Sequence, residues 1–361
     1  MKNRSAIGWF AALIVAALLA FLFRDKIHFD WAMFWSQLRH VDWRPIALAT
    51  ALIYATFVMR SVRWAVLVSP TKKIGPLSTT GSQFIGFTAV SLFGRLADLT
   101  RPYLIAKRIE LPLSSQIAVY TIERMFDLGS AAIIFSCALA FMPKDMPHHE
   151  IFVRTGIYSL AGTLLIAVFA IVVRMAGGAV AAFARGTLGH VSKGAAESLS
   201  EKILDFRNGL NALSSFGEFA VVLAVSLVMW GMIGMAYLET LHGFADTREL
   251  ATISFPSTML LMATSMGGSL LQLPIVGWFT QIALTAGAMH AFYGAPVESA
   301  TACGAVLLCV LTLSVIPIGL AFSQIERVSL KKAADESSAA ASASSAEALS
   351  PSAEAPSATP Q

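Results

Sequence analysis

Charge is scarce in this sequence. Only 13% of its 361 residues are Asp, Glu, Lys or Arg, against roughly 25% in an average soluble domain. That scarcity excludes a solvated surface for most of the chain. Cysteine is scarce too. Cys137, Cys303 and Cys309 all lie in apolar runs, with no CxxC pair. No disulfide framework follows from that spacing, and the three read as small packing residues. A Walker loop, a GxSxG elbow, an HExxH helix and an acidic pair with metal-ligand spacing are all missing from the sequence. Their absence argues against an energy-coupled or hydrolytic enzyme, and no metal or other cofactor is expected. What is plentiful is apolar: 56% of the residues are hydrophobic and the mean hydropathy is +0.68. Several runs approach the roughly 20 apolar residues that cross a bilayer. The chain therefore reads as an all-α polytopic membrane protein. Its net charge of +4 suits loops that follow the positive-inside rule, and nucleic acid is not expected as a partner.

Four regions follow. Residues 1–23 read as an uncleaved signal-anchor helix: Lys2 and Arg4 precede an apolar run longer than the usual roughly 7–15 residues of a signal peptide. Residues 24–45 read as an interfacial amphipathic segment, with Trp31, Phe34, Trp35 and Leu38 at helical spacing. Residues 46–328 form the main transmembrane domain. Residues 329–361 are rich in Ala, Ser and Pro and read as a disordered cytoplasmic tail.

Within the domain, spans are expected at Ile46–Val68, Ser115–Met142, Phe152–Val173, Gly217–Leu238 and Val297–Phe322. Arg60 and Arg63, near the end of the first of these, are expected to snorkel. Two segments are broken by Gly, Pro or charge: Thr79–Ala106 and Leu250–Phe292. With the anchor, this gives about six transmembrane helices plus two re-entrant segments, or alternatively eight spans. Each half reads span, broken segment, span, a pattern compatible with an inverted repeat and a useful pointer to a transporter's binding site. Arg24, Lys26, Arg39, Arg44, Lys144, Arg154 and Arg248 fall outside, and the rest of the 26 lysines and arginines fall inside. Both termini are then cytoplasmic.

The first broken segment carries Gly94-Arg95-Leu96-Ala97-Asp98-Leu99-Thr100-Arg101-Pro102. On a continuous helix Arg95, Asp98 and Arg101 step by three, so neighbours can pair. Glu123, Arg124 and Asp127 follow on the next span. Each charge at bilayer depth costs at least about 2.5–3.5 kcal/mol, so these groups must pair or face water. One reading is a closed ion-pair network that only staples the segments together. The other is that Arg95 and Arg101 present donors to a phosphate, with Asp98, Glu123, Arg124 and Asp127 as the supporting charge network. The second broken segment is uncharged. Gln272 and Gln281 are its candidates for a second polar half-site, against the plainer reading of small residues in tight packing. Asp145, His148, His149 and Glu150 read as an exposed polar turn rather than a metal site.

The blocks Gly94-Arg95-x-x-Asp98-x-x-Arg101-Pro102, Leu111-Pro112-Leu113-Ser114 and Glu123-Arg124-x-x-Asp127 resemble the flippase-like family named for the lysylphosphatidylglycerol synthase transmembrane region. The family pattern is roughly G-R-x-G-E-x-x-R-P, a Leu-Pro-Leu-Ser turn, and E-R-x-x-D. Ala97-Asp98 here replaces the usual Gly-Glu. Near the second break many members read Pro-Gly-Gly-x-Gly-x-x-Glu, whereas this chain ends the block on Gln281. The resemblance implies binding or translocation of a phospholipid or lipid-linked headgroup in a bacterial inner membrane. Membrane lipids are then the partners, and an enzyme of envelope-lipid biosynthesis is a further one. Aminoacyl transfer is not implied, since it belongs to a soluble C-terminal domain and only the tail follows Phe322. The rival expectations are a lipid-modifying transferase embedded in the membrane, with Asp98 or Glu123 as catalytic carboxylate, and an accessory membrane subunit.

Overall fold

The computed structural model describes residues 29–144, 149–188, 215–269 and 276–349, with isolated positions between 194 and 200. Among them the regular structure is entirely helical. The expected anchor helix at 1–23 lies outside the described residues, as do residues 201–214.

Helix α1 (Trp31–Arg39) opens on Asp30, whose side chain accepts from the backbone N–H groups of Ala32 and Met33. The expected aromatic stripe divides in two. Phe34 and Leu38 pack on the core, and Trp31 and Trp35 are exposed. One face of the helix thus rests on protein and the other carries the two exposed indoles.

Among the described residues four helices are long and apolar enough to cross a membrane: α2 (Trp43–Val68), the first part of α6 (His149–Leu188), α7 (Phe216–His242), and the continuous helix Val297–Ile325. Helix α5 (Leu113–Ala140) has the length, at 28 residues, but carries Glu123, Arg124 and Asp127 near its middle. The core lies where α2, α7 and the later helices meet, around Ile53, Phe57, Met229, Tyr237, Met259 and Met262.

The first broken segment is broken in the structure; in the second, residues 252–254 are non-helical and residues 270–275 lie outside the described residues. Helix α3 (Thr80–Phe93) has 14 residues and reaches only about 21 Å, short of a hydrocarbon core of about 30 Å. It stops at Gly94, whose φ of 72° is left-handed and natural only to glycine. A 3-10 turn (Gly94–Ala97) follows, and then the short amphipathic helix α4 (Thr100–Ile109). This corrects the expectation of one helical series through Arg95, Asp98 and Arg101. The 3-10 turn and the turn residues Asp98 and Leu99 break the series before α4 begins, and Arg101 makes its ion pair with Glu123. The second broken segment follows the short helix α8 (Arg248–Ala251) and comprises α9 (Phe255–Ser269) and α10 (Val276–Tyr293).

The span Val297–Ile325 is itself interrupted. It runs as α11 (Val297–Leu308), a π-helical turn (Cys309–Leu313) and α12 (Val315–Ile325). The Ser314 N–H donates to Cys309 O at 2.7 Å, a bond from i to i+5. Where the turn re-enters the α-helix, the Tyr54 hydroxyl donates to Ser314 O at 3.0 Å.

The expected disordered tail is corrected only up to Leu349; residues 350–361 lie outside the described residues. Leu330–Leu349 is helix α13. Alanine has the highest helix propensity of any residue, so a run of it forms a helix once one face finds a partner. Here Ala333, Ala334 and Ser337 are buried against α3, the 3-10 turn and α4. The Tyr103 hydroxyl donates to a Glu336 carboxylate oxygen at 2.6 Å, and Thr100 and Ser337 hydroxyls meet at 3.3 Å.

Candidate functional site

The site begins with two arginines on α2. Arg60 and Arg63 sit roughly two turns before Val68 and face α5. Arg63 is fully buried. Its guanidinium donates to Glu123 Oε1 at 2.5 Å, to Asp127 Oδ1 at 2.7 Å and to Ser226 Oγ of α7 at 2.7 Å. Snorkelling is therefore wrong for Arg63: its partners are inside the bundle, on two other helices. Glu123 and Asp127 are one turn apart on α5 and present their carboxylates side by side. Arg60 lies farther off, at 3.8 Å from Glu123 and 3.6 Å from Asp127.

Arg101 comes in from α4. It pairs with Glu123 Oε2 and donates to Gln83 Oε1 of α3 at 3.1 Å. Its guanidinium lies over Trp64 at 5.3 Å and Tyr120 at 4.9 Å, within cation–π range. Trp64 is held in place by its own indole N–H, which donates to Gln116 Oε1 at 2.9 Å. Gly86 lets α4 approach closely enough for all this. A Cβ there would lie 2.6 Å from Arg101 Cβ and 2.9 Å from its Cα. Arg124 is half exposed, 3.5 Å from Asp127 and 3.9 Å from Glu123.

Four guanidinium groups thus share two carboxylates. Arg63 reaches both of them through its two terminal nitrogens, and its buried Nε has no partner among the described residues. Arg60, Arg101 and Arg124 line a cavity of about 140 Å³ together with Gln83, Asp98 and Tyr120. Gln83 uses its oxygen on Arg101, and its buried Nε2 has no acceptor among the described residues. The arrangement offers charged and neutral donors to an oxyanion, in the planar geometry that suits phosphate.

A second cavity, of about 220 Å³, adjoins the first. The two share Phe57, Arg60 and Phe87 in their walls. The second lies beside Ile53 and Thr56, near the midpoint of α2, and reaches α9, α10 and the π turn through Ser265, Gln281 and Thr312. Gln281 Nε2 and the Tyr237 hydroxyl both donate to Ser265 Oγ, at 3.1 and 3.0 Å. The two broken segments therefore converge on adjoining cavities.

The structure brings together Arg101, Glu123, Arg124 and Asp127, puts Asp98 on the wall of the first cavity, and puts Gln281 on the wall of the second. Arg95 is in the 3-10 turn and its side chain lies outside the described residues, as does Gln272. Sequence reasoning did not place Arg60, Arg63, Gln83 and Tyr120 in the site. For the arginines a signal existed. Two cations three apart on one apolar helix complement two acids four apart on another.

Residues 8–320 match the family model described as the lysylphosphatidylglycerol synthase TM region, the family that the motif blocks resemble. No curated protein and no solved structure matches.

Proposed function

The chain belongs to the family of the lysylphosphatidylglycerol synthase TM region, and from that premise we propose that it binds the phosphate of a membrane phospholipid or lipid-linked headgroup and carries it between leaflets. The observation that supports this is the excess of guanidinium over carboxylate around the first cavity. Arg60, Arg101 and Arg124 face it with only loose or shared neutralisation. A phosphodiester entering there offsets its lost hydration with charge-assisted hydrogen bonds worth about 1.5–3 kcal/mol each. Its acyl chains stay in the bilayer, because neither cavity is large enough to enclose a whole lipid. No covalent step is required.

We place both termini in the cytoplasm of a bacterial cell, with the broken segments re-entrant rather than spanning. The base distribution among the loops and the short reach of α3 support this placement. The first cavity, near the Val68 end of α2, then faces the cytoplasmic leaflet.

The test is leaflet exchange of fluorescent lipids in liposomes containing the purified protein, read by dithionite quenching across several headgroups. Exchange above that of empty liposomes is expected for at least one anionic or lipid-linked headgroup. Arg101→Ala should abolish it. Arg124→Gln, on a half-exposed side chain, should reduce it without disturbing the fold. No exchange by correctly folded protein for any headgroup refutes the reading. Exchange that survives both substitutions refutes the site.

A further inference from the structure

The second cavity differs from the first in kind. No carboxylate is on its wall among the described residues, and its one cation, Arg60, stands at the junction. Its polar groups are neutral. The Ser265 hydroxyl accepts from Tyr237 and Gln281 and keeps its own proton to donate. The Gln281 amide, anchored through Nε2, retains its oxygen as an acceptor. Trp230 is buried on the same wall, and its Nε1–H, a group that can only donate, has no acceptor among the described residues. A buried donor left unmatched is costly. Gln83 Nε2 poses the same question in the first cavity. Each cavity thus has one orphaned, buried N–H among the residues of its wall, which a small rotation of the side chain would bring to an oxygen-bearing ligand.

Building on the phosphate reading above, we propose that the second cavity receives the part of the headgroup beyond the phosphate, and that this part is uncharged and hydroxyl-bearing, such as a glycerol or a sugar. The phosphate sits among the arginines of the first cavity with Arg60 at the boundary. The hydroxyl oxygens accept from Trp230 and Ser265, and the hydroxyl protons go to Gln281. A volume of about 220 Å³ is below the roughly 300–1,000 Å³ that encloses a drug-sized molecule, so it fits a headgroup fragment rather than a lipid. An ammonium headgroup is disfavoured on both counts. It would find no carboxylate in this cavity, and it would approach Arg60.

The test is calorimetric binding of dihexanoyl lipids to the full-length protein in detergent. Three lipids are compared: phosphatidic acid, which reports the phosphate site alone, phosphatidylglycerol and phosphatidylethanolamine. Phosphatidylglycerol is expected to bind about tenfold tighter than phosphatidylethanolamine. Trp230→Phe, which keeps the ring and removes the N–H, should weaken phosphatidylglycerol by about threefold to tenfold and leave phosphatidic acid unchanged. Gln281→Glu should narrow or reverse the preference by supplying the missing carboxylate. The assignment is overturned if phosphatidylethanolamine binds as well as phosphatidylglycerol, or if the two substitutions weaken phosphatidic acid as much as phosphatidylglycerol. Failure of phosphatidic acid itself to bind would instead remove the phosphate reading on which the assignment rests.

Discussion

Arg63 and Arg124 touch the same two carboxylates and do different jobs. Arg63 is enclosed, with short bonds to both acids and to Ser226. Removing it would leave two neighbouring carboxylates facing each other inside the bundle. Arg63→Met should therefore destabilise the protein by about 3–5 kcal/mol, read as a fall in the midpoint of denaturation in detergent. Arg124 is half exposed and its contacts are long. Arg124→Gln should cost no more than about 1 kcal/mol, so the same melt separates a structural arginine from a working one. That Arg101 would pair with an acid of its own segment or with Glu123 or Asp127 was legible in the sequence, because a lone charge in an apolar run demands a partner; that the partner is Glu123 rather than the nearer Asp98 is decided by the packing of α4 on α5. Arg63 was not legible. Its distance from a helix end suggested snorkelling, and only the packing of α2 against α5 and α7 shows that the route to water is closed.

The same distinction holds for whole elements. Helices α3 and α4 are pressed together at Gly86, where even a methyl group would overlap the backbone of Arg101. Gly86→Ala should push the helices apart and cost about 1–3 kcal/mol. Lipid binding should fall with it, while helix content by circular dichroism stays unchanged. The break at Gly94 could be read from composition, since glycine is a poor helix former. The helix at Leu330–Leu349 could not, because a run of Ala and Ser is helical only once it finds a surface. Its docking is expected to weaken in acid. The hydrogen bond from Tyr103, aided by Lys107 and Lys332, holds the Glu336 carboxyl below its ordinary range. A depressed carboxyl contributes stability above its unfolded value, about 4.3, and loses that contribution as the pH falls through the folded value. Proteolytic cleavage within α13 should therefore accelerate below about pH 4, and Glu336→Gln should remove most of that acceleration.

For the whole molecule, the decisive arrangement is that two interrupted segments from opposite halves of the chain end at adjoining cavities. The alternation of spans and breaks suggested that meeting, but the partition by Phe57, Arg60 and Phe87 belongs to three-dimensional packing alone. The π turn at Cys309–Leu313 has a consequence of a different sort. It fits one more residue into the span than a regular helix would use, so everything after it is rotated by about 100° relative to an uninterrupted α-helix. Gly319 faces α3 only because of that rotation, and a Cβ there would lie 2.0 Å from Thr88 Oγ1. Deleting Thr312 would keep the span long enough to cross the membrane and would let the turn relax to a plain α-helix. Gly319 would then swing away from α3 and bring larger side chains against it. A loss of one residue, harmless by hydropathy, should thus be far more damaging than a conservative replacement such as Thr312→Ser. The reading frame of this span is kept in its angle as much as in its length.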